Sequence, residues 1–194
     1  MNILTDTLST TVDINGRKYA INTDFRAGIE FECSDLRTEE DFYKILTLYF
    51  GDKFPEDIRG AIEAISNFYA CGEKPTQEEK RNTKQAYSFE VDSSVIFADF
   101  WNYYNIDLSQ EGLHWWVFRA LLLGLPEKSE FKQRTYYRTC DTKGMSKKEK
   151  ERVMKIRKRI EIKGKEVKLS LEERNAQMKA YVSKRQKELQ RGDI

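Results

Sequence analysis

The aromatic side chains of this 194-residue chain lie almost entirely within its first 137 residues, and Tyr181 alone lies beyond them. A folded core needs large apolar side chains, because their burial offsets the loss of chain entropy. Aromatic residues make up 12% of the chain, which is too many for a generally disordered protein. We therefore expect a folded core that ends near residue 142 and a polar segment after it.

The charge of the chain changes sign at the same place. Residues 1–142 carry 16 Lys and Arg against 24 Asp and Glu, whereas residues 143–194 carry 18 against 8. The net charge of +2 thus cancels an acidic part of −8 against a basic part of +10. This division predicts a core domain over 1–142 and a basic helical extension over 143–194. It also allows self-association, because the basic arm of one copy can contact the acidic body of another.

Local patterns predict a mainly α-helical, compact domain that begins with a β-hairpin. Asn15-Gly16 accepts the positive φ angles of a two-residue turn, so residues 10–21 should form the hairpin. Apolar residues then recur at helical spacing, and helix-start and helix-stop residues bound the predicted helices over about 24–34, 38–51, 55–72, 92–104, 113–124 and 131–137. Pro55 is expected in the first turn of its helix. The helix over 92–104 has apolar residues all round, which predicts burial on most sides.

The extension is predicted to contain charged helices that begin with capping boxes at Ser146 and Ser170. Between them, residues 160–169 alternate around Gly164, as a small hairpin or a turn would. The first charged helix carries a basic run that can neutralise phosphates, namely Lys147, Lys148, Arg152, Lys155, Arg157, Lys158 and Arg159. The alternative is a solvated helix face, since two glutamates interrupt the run and no aromatic side chain stands in it for base stacking.

The chain has one histidine, His114, which removes most general-base and nucleophile schemes that depend on an imidazole. His114 and Arg119 lie little more than one helical turn apart and could bind an acidic group. The other interpretation is a hydrogen-bonded structural histidine among core aromatics.

Asp92 and Asp99 form one pair of nearby carboxylates, but nothing in the sequence completes a catalytic or metal site around them.

The remaining chemistry of the sequence is equally sparse. Glu30 and Glu32 form a second carboxylate pair, and the three widely spaced cysteines suit neither a disulfide framework nor a zinc site. No long apolar run and no signal peptide are present, which predicts an intracellular protein with no membrane partner. We therefore expect no enzyme activity, no catalytic residue, no metal and no cofactor.

Several segments together resemble the bacteriophage Gp-fifteen (Gp15) family over roughly residues 1–142. The most specific is the run from Leu113 to Leu121, which reads Leu-His-Trp-Trp-x-Phe-Arg-Ala-Leu. Supporting segments are Asn22-Thr-Asp-Phe-Arg26, Phe97-Ala-x-Phe100, Tyr104-x-Ile106-Asp-Leu108, Gly124-Leu125 and Tyr137-Arg138.

The resemblance implies a protein of tailed phages or of prophages in Gram-positive bacteria, with the role of a tail assembly chaperone. Such a chaperone acts in the host cytoplasm, keeps the long helical tape-measure protein soluble and brings tail-tube subunits to it. The interaction candidates are aromatic residues and their polar neighbours around the recognised segment, namely Phe97, Trp101, Tyr104, His114, Trp115, Trp116, Phe118 and Arg119. Alternatives are a nucleic-acid-binding accessory protein that uses the basic extension and a structural component of the tail.

Overall fold

The computed structural model describes residues 3–34, 36, 38–52, 54–72, 85–163, 173, 176–177, 179–180 and 182–184. Its elements are β1 (Thr11–Ile14), β2 (Arg17–Ala20), α1 (Phe25–Cys33), α2 (Glu39–Phe50), α3 (Ile58–Tyr69), α4 (Phe89–Tyr104), α5 (Trp115–Gly124), α6 (Glu130–Thr139) and α7 (Lys147–Arg159). The predicted mainly α-helical fold with an N-terminal hairpin is therefore confirmed. The predicted hairpin or turn around Gly164 and the helix start at Ser170 lie outside the described residues.

The chain divides into two compact units. Unit 1 comprises residues 1–74, 113–117 and 168–194, and unit 2 comprises residues 75–112 and 118–167. Helix α5 contributes its first turn to unit 1 and its remainder to unit 2. The domain boundary at residue 142 stays a prediction.

The hairpin of unit 1 has the turn that its sequence predicts. Strands β1 and β2 are antiparallel, and Asn15 and Gly16 between them have φ angles of 53° and 79°. Two positive φ angles match the right-handed twist of the strands that the turn joins. Ile14 is buried, and the Asn15 side chain donates a 2.7 Å hydrogen bond to the Asp57 carboxylate just before α3.

The first three helices begin at side chains that accept hydrogen bonds from their own first turns. Asp24 caps α1, and Thr38 forms a capping box with Asp41 at the start of α2. The prediction that Pro55 lies in the first turn of α3 is wrong. The helix starts at Ile58 because the Asp57 carboxylate accepts the Gly60 N–H at 3.0 Å, which makes Asp57 the N-cap residue.

Unit 2 is built around aromatic side chains from α4 and α5. Phe100 stacks on Phe118 with ring centroids 5.1 Å apart, and both side chains are fully buried. The Tyr104 hydroxyl donates to the Leu121 carbonyl at 2.8 Å, which joins the same two helices a second time. Phe89 contacts Phe118 from the start of α4.

Helix α7 begins at the predicted Ser146 capping box and packs against α6. Val153 is its buried apolar residue. The Arg157 guanidinium donates to the backbone carbonyls of Tyr137 and Cys140 at the end of α6. The first charged helix of the extension is therefore docked through an arginine and one valine.

Gly28 in α1 lies directly under the indole ring of Trp115, and a Cβ atom at this position would stand 2.3 Å from that ring. We expect Gly28→Ala to lower the free energy of unfolding by about 1–3 kcal/mol, because overpacking outweighs the better helix propensity of alanine. Urea unfolding followed by circular dichroism measures the change.

Gly124 supplies the matched control, since a Cβ atom there would meet only the Tyr104 hydroxyl oxygen at 3.5 Å. Gly124→Ala should leave the stability unchanged or raise it by up to about 1 kcal/mol. Equal stability of the Gly28→Ala variant and the original protein would contradict the close packing of Trp115 on α1.

Candidate functional site

The first residues of the segment Leu113–Leu121, which carries the strongest family resemblance, pack inside unit 1. Its backbone pairs with the start of α1, because Phe25 N–H donates to the Leu113 carbonyl at 2.9 Å and Trp115 N–H donates to the Thr23 carbonyl at 2.7 Å. Asp24 and His114 form the bridge between these two segments. The Trp115 indole stacks on the Tyr69 ring and is 2% exposed, so Trp115 belongs to the core and not to a surface.

Both ring nitrogens of His114 have fixed partners. Nδ1 accepts the backbone N–H of Trp116 at 3.2 Å, which places the imidazole proton on Nε2. Nε2 lies 3.1 Å from the Ser9 carbonyl, the acceptor that this proton needs. His114 therefore satisfies backbone groups on both sides, as the structural interpretation of this residue predicts, and neither nitrogen remains for an acidic ligand.

The indoles of Trp115 and Trp116 bind the C-terminal end of α3. Trp115 Nε1 donates to the Tyr69 carbonyl at 2.8 Å, and Trp116 Nε1 donates to the Phe68 carbonyl at 2.7 Å. The last carbonyls of a helix lack N–H partners within it. The indoles add donors there, beside the Cys71 N–H that also donates to the Phe68 carbonyl at 3.0 Å. Trp116 is half-buried and its ring also contacts Phe68 and His114.

The two carboxylates considered as a catalytic pair have separate structural roles in unit 2. Asp99 accepts the backbone N–H of Phe131 at 2.8 Å, at the start of α6. Asp92 is fully buried and receives both terminal nitrogens of Arg138, at 2.6 and 2.9 Å. Arg134 and the Ser88 N–H donate to Asp92 as well.

Burial alone would raise the pKa of Asp92, but hydrogen bonds from Arg138 and Ser88 and the charge of Arg138 outweigh it and hold this pKa below its usual value. A carboxylate that is ionised and fully hydrogen-bonded is poorly suited to exchange protons. The geometry thus favours a structural ion pair over general acid or base chemistry.

Sequence reasoning missed both arginine partners of Asp92, and Arg138 is the more buried of the two. It is 8% exposed and also donates to the carbonyls of Ala86 and Ile160. A signal was present in the sequence, since Arg138 lies seven residues after Phe131 and therefore on the same buried face of α6.

We expect Asp92→Asn to lower the free energy of unfolding by about 3–5 kcal/mol near pH 7, because it leaves the Arg138 guanidinium buried without its counter-charge. Asp52→Asn, at an exposed carboxylate, should change stability by less than about 0.5 kcal/mol. Urea unfolding of both variants measures the difference. A loss below about 1 kcal/mol at Asp92 would rule out this ion pair as a main stabilising contact.

The same pair predicts a pH dependence of stability. Because the pKa of Asp92 is lowered in the folded protein, its contribution is complete above the unfolded value of about 3.9 and disappears as the pH falls through the lower folded value. The stability difference between the original protein and Asp92→Asn should therefore shrink below about pH 4. A difference that stays constant from pH 7 to pH 2.5 would contradict this assignment.

The remaining interaction candidates divide by exposure. Phe118 is fully buried, whereas Tyr104 and Arg119 are half-buried. Phe97 is 39% and Trp101 is 50% exposed. Phe97 and Trp101 are therefore large aromatic side chains on the surface of α4. The other two candidate indoles, of Trp115 and Trp116, are hydrogen-bonded to α3.

The prediction that α4 is buried on most sides is wrong. Its core-facing residues follow helical spacing and are Phe89, Asp92, Ile96, Asp99 and Phe100. Two of these positions hold carboxylates, which α6 neutralises or hydrogen-bonds, and aromatic side chains occupy the opposite side instead. We call that side the α4 outward face and define it by its exposed residues Glu90, Val91, Ser94, Phe97, Ala98 and Trp101.

The basic candidates on α7 are solvent-exposed except Arg157, which is half-buried on α6. Exposed cations are Lys147, Lys148, Lys150, Arg152, Lys155, Lys158 and Arg159. Glu149 is occupied as part of the Ser146 capping box. Within the described part of the chain, the structure gives these seven cations no salt bridge.

The described residues contain no group of three or more His, Cys, Asp and Glu residues that could hold a metal ion. No helix among them is long and apolar enough to cross a membrane.

The chain was compared with family models, curated proteins and solved structures, and a family model matches it. Residues 4–162 match the family model described as Bacteriophage Gp15 protein, which extends the resemblance past residue 142 and includes α7. Neither the curated proteins nor the solved structures contain a match. Because the family model covers most of the chain, this protein belongs to the bacteriophage Gp15 family.

Proposed function

We propose that this protein is a non-enzymatic tail assembly chaperone of a tailed phage or prophage. It binds the tape-measure protein in the cytoplasm of the bacterial host, keeps its apolar helix faces from aggregating and assists tail-tube subunits to assemble on it. Membership of the Gp15 family supports a phage role, and the family resemblance implies the chaperone role.

The observation that carries this proposal is the exposure of Phe97 and Trp101 on one side of α4. A long amphipathic client helix is recognised when its apolar stripe contacts an apolar surface of the chaperone. Large aromatic side chains dominate the energetics of such contacts. Asp92, Asp99 and His114, in contrast, are hydrogen-bonded to other groups of the fold.

Co-expression with the tape-measure protein of the same phage tests the chaperone role. We expect the tape-measure protein to be mostly insoluble alone and to become soluble in a complex that survives gel filtration. An equally insoluble client with and without this protein, and no complex, would overturn the proposal. Purified virions should lack the protein, whereas its retention there would support the alternative of a structural tail component.

The exposed cations of α7 favour a second candidate function, the binding of nucleic acid through phosphates. α7 carries Lys or Arg at eight of its 13 positions, and seven of these cations are exposed. Contacts of this kind are insensitive to sequence, because phosphates are the same at every position. The absence of aromatic residues in α7 argues against base stacking.

A salt titration measures this second candidate. If about five cations neutralise phosphates of a duplex, the logarithm of the binding constant should fall against the logarithm of salt concentration with a slope near about −4 to −5. The triple variant Lys155→Gln, Lys158→Gln and Arg159→Gln should reduce the slope by about 3.

The control for this titration removes three exposed cations elsewhere, by Arg17→Gln, Lys18→Gln and Lys44→Gln. The control should keep the original slope. No binding to duplex or single-stranded oligonucleotides at low salt eliminates nucleic acid as a partner of α7.

A further inference from the structure

Helices α6 and α7 cap each other's C-terminal ends with arginines. From α7, the Arg157 guanidinium donates to the backbone carbonyls of Tyr137 and Cys140, and its Nε lies 2.6 Å from the Tyr137 oxygen. From α6, Arg138 Nε donates to the carbonyl of Ile160, the C-cap residue of α7, at 2.8 Å. A cation at the end of a helix also interacts favourably with the partial negative charge of that end. We call this reciprocal pair of contacts the arginine clasp.

Apart from the clasp, few contacts hold α7 in place. α7 buries a single residue, Val153, along its 13 residues, whereas the 16 residues of α4 include five buried ones. A helix as short as α7 is marginally stable on its own in water. If α7 undocks, it therefore unravels, and its backbone amide hydrogens exchange with solvent. The helical state of α7 thus depends on the clasp and one valine.

The two arginines of the clasp differ in what they lose when α7 moves away. Arg138 is also paired with Asp92 inside unit 2, and its two terminal nitrogens lie 2.6 and 2.9 Å from the carboxylate oxygens. It keeps this counter-charge and gives up one hydrogen bond. Arg157 is half-buried and its acceptors in the clasp are uncharged carbonyls, so it returns to water on undocking. Undocking therefore avoids the large cost of a buried charge without a partner.

The connector between the two helices can follow such a movement. It comprises residues 140–146, none of which is buried. Gly144 within it has a φ of 80° and lies in open space. Seven residues span at most about 23–25 Å when they are extended. The connector can therefore change conformation without disturbing the core of unit 2.

We propose that α7 is a detachable helix, which undocks from α6 about the connector while the rest of unit 2 stays folded. The docked state fixes the exposed cations of α7 on one rigid surface. The undocked state frees Arg157 as well and exposes Val153, on a tether of up to about 23–25 Å. The clasp is thus a conformational switch between a fixed and a tethered basic segment. This inference is independent of the proposed function, because it concerns the chain without a partner.

Native-state hydrogen–deuterium exchange of the full-length protein tests the inference, with rates corrected for intrinsic exchange. In the original protein, the amides of residues 151–157 should exchange together and at least tenfold faster than the buried amides of α4. Arg157→Gln should accelerate the exchange of α7 at least a further tenfold, because it removes two hydrogen bonds of the clasp. The exchange of α4 should stay within twofold, which also shows that this variant is folded.

The control variant is Arg152→Gln, which removes an exposed cation from the same helix. Arginine and glutamine have similar helix propensities, so α7 should exchange within twofold of the original rate. Amides of α7 that exchange as slowly as those of α4 in the original protein would overturn the proposal. Equal rates for α7 in the two variants would show that the clasp does not hold the helix. Equal acceleration of α4 and α7 by Arg157→Gln would show that α7 opens only when unit 2 unfolds.

Discussion

The end of helix α3 depends on two indole N–H groups that come from residues 115 and 116. The last four carbonyls of α3 belong to residues 66–69, and each has a donor. Ala70 N–H donates to Ser66, Gly72 N–H donates to Asn67, and Cys71 N–H donates to Phe68. The Trp116 indole gives the Phe68 carbonyl a further donor, and the Trp115 indole donates to Tyr69. A buried carbonyl without a donor costs about 1–3 kcal/mol. The two tryptophans therefore contribute hydrogen bonds at this place as well as apolar area.

This arrangement explains the composition of the neighbouring segments. Trp115 can stack on Tyr69 because Gly28 leaves the other side of the ring free of a Cβ atom. Asn22 fills the corresponding role at the end of α2, where its backbone N–H donates to the Tyr49 carbonyl and its amide donates to the Leu48 carbonyl. The segments that identify the family in unit 1 are thus residues that terminate helices, which makes them informative about fold and less so about partners.

Sequence reasoning succeeded where the determinants are local. The Asn15-Gly16 turn and the caps at Asp24, Thr38 and Ser146 depend on residues a few positions apart. It failed for α4 because the partner of Asp92 is 46 residues away in Arg138. Periodicity alone treats a carboxylate as exposed and an aromatic side chain as buried, so it could not identify the surface formed by Phe97 and Trp101. The exposure of Phe97 and Trp101 consequently required the structure, although both residues were among those that the sequence nominated.

Fewer cations of the extension are available to a partner than its net charge suggests. The Arg157 guanidinium donates hydrogen bonds to the carbonyls of Tyr137 and Cys140. Lys179 forms an ion pair with Glu63 at 2.5 Å. The exposed cations of α7 remain, and their contacts weaken as salt screens them. Contacts of Phe97 and Trp101 on the α4 outward face lack this sensitivity, because burial of apolar surface does not depend on screening. Ionic strength therefore separates the two surfaces. A client that stays bound in high salt is held by the aromatic face of α4, and one that dissociates is held by the basic face of α7.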